Sequence, residues 1–318
     1  MSAIIDVHHH LLPDFYVEAI GMEALTQQAP RFSATALEWT PQSSLYTMDT
    51  QGVSAALLSI SAPGVWCGTQ SSTTRLVRQC NEYMASLVAQ HPHRFGMFAA
   101  LPLPDVDAAL EEIEFAYSQT GVDGFGLMSC YGNSHLGDPK FAPVFDELNQ
   151  RGAVVFVHPT ITQACKALLP GYPASILEFP VDTTRAAFSL LYSGTLARCR
   201  NIRFVFSHAG GAVPFLSHRL TRLDFVEEFA ERTNGAGLEL LQNQFYDVAL
   251  SANRPALAAL TAFAQPTNIL FGSDYPFAPN MMARTKEGLA VFDPSGEVLR
   301  GVDRDNALTL FPRFATPS

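Results

Sequence analysis

The sequence predicts one α/β domain over residues 1–318, a (β/α)8 barrel of the TIM type. Three observations lead there. Short, β-rich apolar runs alternate with helical patterns eight times along the chain. Several of these runs, such as AVVFVH and IRFVFSH, are apolar at every position rather than at every second one. That pattern suits parallel strands covered on both faces. The chain is 318 residues long, 47% hydrophobic and 16% charged, enough for a large core. Eight βα units in a chain of this length fit a closed barrel better than a doubly wound open sheet. No GxGxxG follows the first strand, so nothing supports a dinucleotide site.

The strands are expected near Ala3–His8, Val53–Ile60, Phe95–Leu101, Gly124–Met128, Ala153–His158, Ile202–Ser207, Phe245–Ala249 and Ile269–Gly272. Helical patterns cover Thr73–Gln90, Val106–Thr120, Phe141–Arg151, Thr183–Ala197, Ala212–Arg232 and Pro255–Phe263. Leu25–Tyr46 departs from the rhythm, with Pro30, Trp39, Pro41 and a Ser/Gln-rich stretch. Long insertions after a barrel strand sit over the active face, so residues 25–46 are expected to form a lid or small subdomain. No internal repeat, low-complexity tract or linker interrupts the rest.

Composition narrows the function. The net charge is −10, and only three lysines occur, Lys140, Lys166 and Lys286. Phosphate backbones need clustered cations, so a nucleic-acid partner is not expected. No apolar run is long enough for a bilayer span, and MSAIIDVHHH lacks the basic-then-apolar order of a signal peptide. A cytoplasmic protein is expected. The five cysteines are scattered without a CxxC pair, as expected of reduced thiols.

The histidines carry the chemistry. His8 and His10 end the first strand, two residues apart, a spacing that turns both side chains to one side of an extended chain. His158 ends the fifth strand in VVFVHPT, His208 the sixth in RFVFSHAGG, and Asp274 follows the eighth in ILFGSDYP. All five fall at carboxyl ends of strands, the rim where barrel enzymes place their sites. One buried histidine is usually a satisfied core residue. Four histidines and an aspartate at strand ends, distant in sequence, point to a metal site. His8, His10, His158 and Asp274 as ligands of one divalent ion would leave a position open for water or substrate, the mark of a catalytic centre. His9 is expected to face the other way. Asp6 either orients a ligand imidazole or ligates directly. His91, His93, His135 and His218 lack such placement, although His135 lies near the rim. The fourth strand, GFGLMSCYG, has no lysine to be carbamylated between two metals, so a single ion is favoured.

The stretches IDVHHHLLP, FGMFAALPLPD, VVFVHPT, FVFSHAGGAVPFL and ILFGSDYPFAP resemble the metal-dependent amidohydrolase superfamily, and within it the non-oxidative decarboxylases of aminocarboxymuconate semialdehyde, γ-resorcylate and 6-methylsalicylate. DTTRAAFSLLYSG and DGFGLMSCYG look most like the 6-methylsalicylate group. The resemblance implies His8, His10 and His158 as ligands of Zn2+ or Mn2+. It implies Asp274 as a ligand that also moves a proton, and His208 as a second acid/base. Relatives of this kind are often dimers, which implies a homodimer. The expected reaction is decarboxylation of a hydroxylated aromatic acid after ring protonation. The same constellation could instead activate water, so a lactonase or hydratase is the alternative. A binding protein on a decayed barrel is a third reading, and no ligand is missing to support it. Trp39, Trp66, Tyr131 and Phe277 are candidates for walls around a flat ring, and Arg185 for the substrate carboxylate.

Overall fold

A computed structural model describes residues 4–28, 36–162, 165, 168, 171–277 and 280–315. Eight strands lie parallel in sequence order: β1 (Ile4–His10), β2 (Val53–Ser59), β3 (Phe95–Ala100), β4 (Gly124–Met128), β5 (Val154–His158), β6 (Arg203–Phe206), β7 (Phe245–Asp247) and β8 (Ile269–Leu270). The sheet closes on itself. Val7 N donates to Phe271 O at 3.0 Å, Asp274 N to His8 O at 2.9 Å, and His10 N to Tyr275 O at 2.7 Å. Closure of β1 onto the segment after β8 rules out the open sheet.

Between the strands run α1 (Asp14–Ile20), α2 (Met22–Gln28), α3 (Pro41–Gln51), α4 (Gln70–Gln90), α5 (Val106–Phe115), α6 (Ala142–Gln150), α7 (Ala174–Tyr192), α8 (Val213–Leu220) and α9 (Arg254–Phe263), and α10 (Met281–Phe292) follows β8. Thr40 and Thr69 open α3 and α4 with reciprocal side-chain caps to Ser43 and Ser72. The Thr69 cap explains why α4 begins three residues before the expected Thr73. Two expected helices change more. The span 183–197 becomes α7, which starts nine residues earlier and runs through Pro180. The span 212–232 breaks into α8, a 3-10 turn at Thr221–Phe225 and a short helix, Glu227–Thr233.

Two apolar layers hold the barrel. Ile5, Val7, Leu57, Phe98, Phe156, Val205 and Leu270 fill the lumen, and Leu310, Phe311 and Phe314 from the chain's C-terminal turns close its lower end. Phe98 stacks on Phe156 with centroids 5.2 Å apart. The larger layer lies between strands and helices. Leu25, Ala36 and Trp39 belong to it together with Leu11 and Leu12. Of the expected insertion, residues 29–35 lie outside the described residues, and the flanking positions just named pack into the domain core. Among the described residues no helix is long and apolar enough to cross a membrane.

Candidate metal centre

The upper end of the lumen is polar because three strand ends deliver four ligand-type side chains there. His8 and His10 come from β1, His158 from β5, and Asp274 from the turn after β8. All four are buried, and one ligand atom of each lies within 4.8 Å of all the others. The His8 ring rests edge-on against Phe156, 5.0 Å between centroids, so the apolar lumen is the floor of the site. Gly272 lets β8 pass close beneath it. A Cβ there would stand 2.9 Å from His8 Cβ and 3.0 Å from Asp247 Cγ.

The hydrogen bonds decide which nitrogens face the centre. His8 Nδ1 donates to Asp247 Oδ2 at 2.9 Å, and His158 Nδ1 to Pro159 O at 2.9 Å. His10 Nδ1 lies 3.2 Å from Ser59 O and 2.9 Å from Ser59 Oγ. With Nδ1 taken up by acceptors, each Nε2 turns inward. His8 Nε2 and His10 Nε2 then stand only 2.9 Å apart, and Asp274 Oδ1 is 3.3 Å and 3.2 Å from them. Two imidazole lone pairs and a carboxylate converging in a buried space require a cation. A nitrogen, nitrogen, nitrogen and carboxylate-oxygen donor set is the chemistry of a first-row divalent ion, and the residues fit one.

A proton serves when no ion is there. Burial disfavours charge on His8, but the Asp247 and Asp274 carboxylates outweigh it and raise its pKa to about 10. Burial lowers His10, only partly offset by its hydrogen bond to Asp274. Burial and then the neighbouring His10 and His8 hold His158 well below the usual histidine value. For Asp274, burial is outweighed by the facing His10, His208 and His8 side chains, which keep the carboxyl well below its usual range. The cluster thus holds one proton on His8 between two carboxylates, at a place whose donor set suits a metal ion.

His208 follows β6, with its Nε2 3.7 Å from Asp274 Oδ2. Both its ring nitrogens are buried and lack a hydrogen-bond partner among the described residues. Asp274 and His208 both hold left-handed backbone, φ 61° and φ 54°, unusual for residues with a side chain. Such strain persists only where surroundings enforce it and gathers at functional sites. Here the enforcing bonds are Asp274 N to His8 O, and His208 N to Asp247 Oδ1 at 3.0 Å.

Asp247 escaped the sequence reading. It ends β7, is fully buried, and binds His8, His208 and Ala249 at once. Its signal was available, an aspartate closing the apolar run QFYDVAL at the same rim. Asp6 does not reach the ligand rings. It accepts from His8 N, Ser273 N and Ser273 Oγ, and from His9 Nδ1 at 3.0 Å, sewing β1 to the segment after β8. His9 faces away from the cluster, bonded to Asp6 and Ser44 and stacked on Tyr275.

The expected substrate residues separate. Phe277 lies edge-on to His10, centroids 5.7 Å apart, at the centre. Phe179 from α7, not singled out from sequence, does the same to His158 at 6.0 Å. Tyr131 is packed against Phe141, and its hydroxyl accepts from Met128 N at 3.1 Å. Trp39 is buried with its indole N–H unpartnered among the described residues, and Trp66 is half exposed. Arg185 contacts Asp182, Glu178 and Cys165 rather than the ligand cluster.

The amidohydrolase family model matches residues 5–313. Decarboxylase yanB of Aspergillus niger is 37% identical over 335 residues, covering 99% of this chain and 89% of that protein. The 6-methylsalicylic acid decarboxylase acuB of Aspergillus aculeatus is 37% identical over 327 residues, covering 98% and 96%. The crystal structure of the 5-carboxyvanillate decarboxylase LigW from Sphingomonas paucimobilis superposes with a TM-score of 0.84 over 98% of this chain and 99% of that one. At 24% identity it is a likeness of fold. The chain belongs to the amidohydrolase family. Within that family it falls in the decarboxylase branch.

Proposed function

We propose that this chain is a metal-dependent, non-oxidative decarboxylase of hydroxylated aromatic carboxylic acids, with a 2-hydroxybenzoate such as 6-methylsalicylate as substrate. The observation that carries the reading is the buried His8, His10, His158 and Asp274 set with His208 beside it, in a chain 37% identical over nearly its full length to a 6-methylsalicylic acid decarboxylase. The ion is Zn2+ or Mn2+, held by those four side chains. When bound, it supplies positive charge that draws the phenol and carboxylate oxygens of the substrate and stabilises the phenolate.

Asp274 works as the proton carrier. Its carboxyl is ionised at rest, so it first accepts the phenol proton and then delivers it to the ring carbon bearing the carboxylate. That carbon becomes tetrahedral, and the C–C bond breaks with its electron pair returning to the ring. CO2 leaves, aromaticity is restored, and the product phenolate takes a proton from water. Loss of CO2 before protonation would leave an unstabilised aryl anion. His208, 3.7 Å from Asp274 Oδ2 and otherwise unpartnered, receives the hydrogen bond that Asp274 offers once protonated. Phe277 and Phe179 support a flat ring between His10 and His158. The described parts of the insertion, residues 25–28 and 36–46 with Trp39, are proposed to cover it, and Trp66 and Arg185 to stand at its approach.

A homodimer acting in the cytoplasm completes the proposal. The exposed Phe215 and Phe225 support an interface, and five free thiols support a reducing compartment. Light scattering would check the first, a monomeric mass being the adverse result. The main test is product analysis with 6-methylsalicylate and a panel of hydroxybenzoates, with and without chelator. Chelator-sensitive formation of 3-methylphenol and CO2 is expected. Metal-loaded protein that hydrolyses a lactone and leaves the whole panel intact would overturn the decarboxylase reading.

A further inference from the structure

A second polar cluster forms where the chain leaves β4 and meets α7. A two-strand hairpin places Cys130 directly opposite His135. Asp182, fully buried in the middle of α7, stands against both, with ligand-type atoms of the three within 4.8 Å of one another. Asp182 Oδ2 accepts the hydroxyl of Ser129, and Oδ1 accepts from His135 Nε2 at 3.1 Å and Arg185 Nη1 at 3.4 Å.

This cluster differs in kind from the first. Burial, and next Asp182, push the Cys130 thiol up to about 12, so it stays protonated. Both Asp182 oxygens already have donors, from Ser129, His135 and Arg185. What the cluster holds in place is the backbone of a metal ligand. Ser129 N donates to His158 O at 2.8 Å, and Ser129 Oγ takes Thr160 N at 2.9 Å. Helix α7 reaches the same residue a second time, through Phe179 on the His158 ring.

We infer that Asp182 is a positioning residue for the metal centre: it pins Ser129 and α7 together, and these two fix the backbone and the ring of His158. The inference rests on His158 being a ligand, as proposed above. It goes beyond that reading by giving α7 and the hairpin a part in ligand geometry.

The test uses Asp182→Asn and Ser129→Ala in the full chain. The comparison variant is Asp123→Asn, which breaks the ion pair to Arg313 elsewhere in the domain. Zinc affinity is measured by chelator competition, and ligand geometry by the visible spectrum of the cobalt-substituted protein. Asp182→Asn is expected to weaken zinc binding by roughly tenfold or more and to alter the cobalt spectrum, Ser129→Ala to do so less. Asp123→Asn should lower Tm with affinity and spectrum intact. Unchanged affinity and spectrum in Asp182→Asn, or an equal change in Asp123→Asn, would overturn the inference. So would a second equivalent of zinc in the wild type that vanishes in Cys130→Ser, since the cluster would then be a metal site. Neither readout needs a substrate. A protein inactive on every hydroxybenzoate but behaving as expected here would refute the decarboxylase reading and leave Asp182 in its role.

Discussion

At the residue scale the centre is a problem of protonation states. His8, His10 and His158 each spend Nδ1 on an oxygen acceptor, which fixes the tautomer and aims Nε2 inward. Asp247 does this for His8 and also sets the backbone of His208. Asp247→Asn is therefore expected to cost roughly 10–100-fold in metal affinity, measured by chelator competition; wild-type affinity would deny it that role. Asp274→Asn removes the proposed proton carrier and should lower kcat by about a hundredfold or more with KM little changed. Near-normal turnover would take Asp274 out of the proton step. The inward residues were legible because each is a titratable side chain closing an apolar run, a place where burial is certain and charge needs a reason. Asp247 closes such a run too. It was hidden because a second-layer aspartate differs from a cap or a surface residue only by what it touches. Phe179 could not be read at all, since an aromatic residue on a helix is ordinary core until its neighbour is known.

At the scale of elements, strands were legible to within one or two residues, because continuous apolar runs end where the barrel rim begins. Helices were less so where Pro or Gly intervened. Pro180 lacks an amide hydrogen and reads as a stop, yet α7 passes through it and the tertiary contacts of both halves hold it. The region after β6 was read as one helix from its apolar period, but its turns at Thr221–Phe225 and its short final helix divide it. Between these elements lies a tight crossing. Gly211 has φ 63°, and a Cβ there would stand 2.0 Å from Pro180 O. Thr184 Oγ1 on α7 also accepts from Ala212 N at 2.9 Å. The loop carrying His208 is thus held against α7. Gly211→Ala should cost roughly 1–3 kcal/mol from the strained backbone alone, seen as a lower denaturant midpoint, and it should depress kcat by displacing His208. A variant with wild-type stability would show that the crossing tolerates a side chain.

For the whole molecule, the barrel brings residues from both ends of the chain into one charge balance, so metal and proton compete for the fold itself. In metal-free protein the signs can be worked out. His10 and His158 are lowered below the ordinary value of 6.5, so the folded state binds fewer protons there and stability rises with pH towards 6.5. Asp274 is lowered from 3.8, and its contribution is lost as pH falls below that value. His8 is raised from 6.5 to about 10, so its contribution is complete below 6.5 and drains away as pH climbs towards 10. The apo protein should therefore be most stable near the crossover, with Tm falling on both sides. With His8 as a ligand, as proposed, a bound ion would take the place of its proton, and metal binding would then release a proton. Affinity for the ion should rise with pH up to about 10, and the alkaline fall in Tm should vanish when metal is present. Calorimetric scans of chelated and zinc-loaded protein across this range check both arms. An apo Tm that stays level between pH 6.5 and 10 would mean that no proton is held between His8, Asp247 and Asp274, and that the cluster meets its charge in some other way.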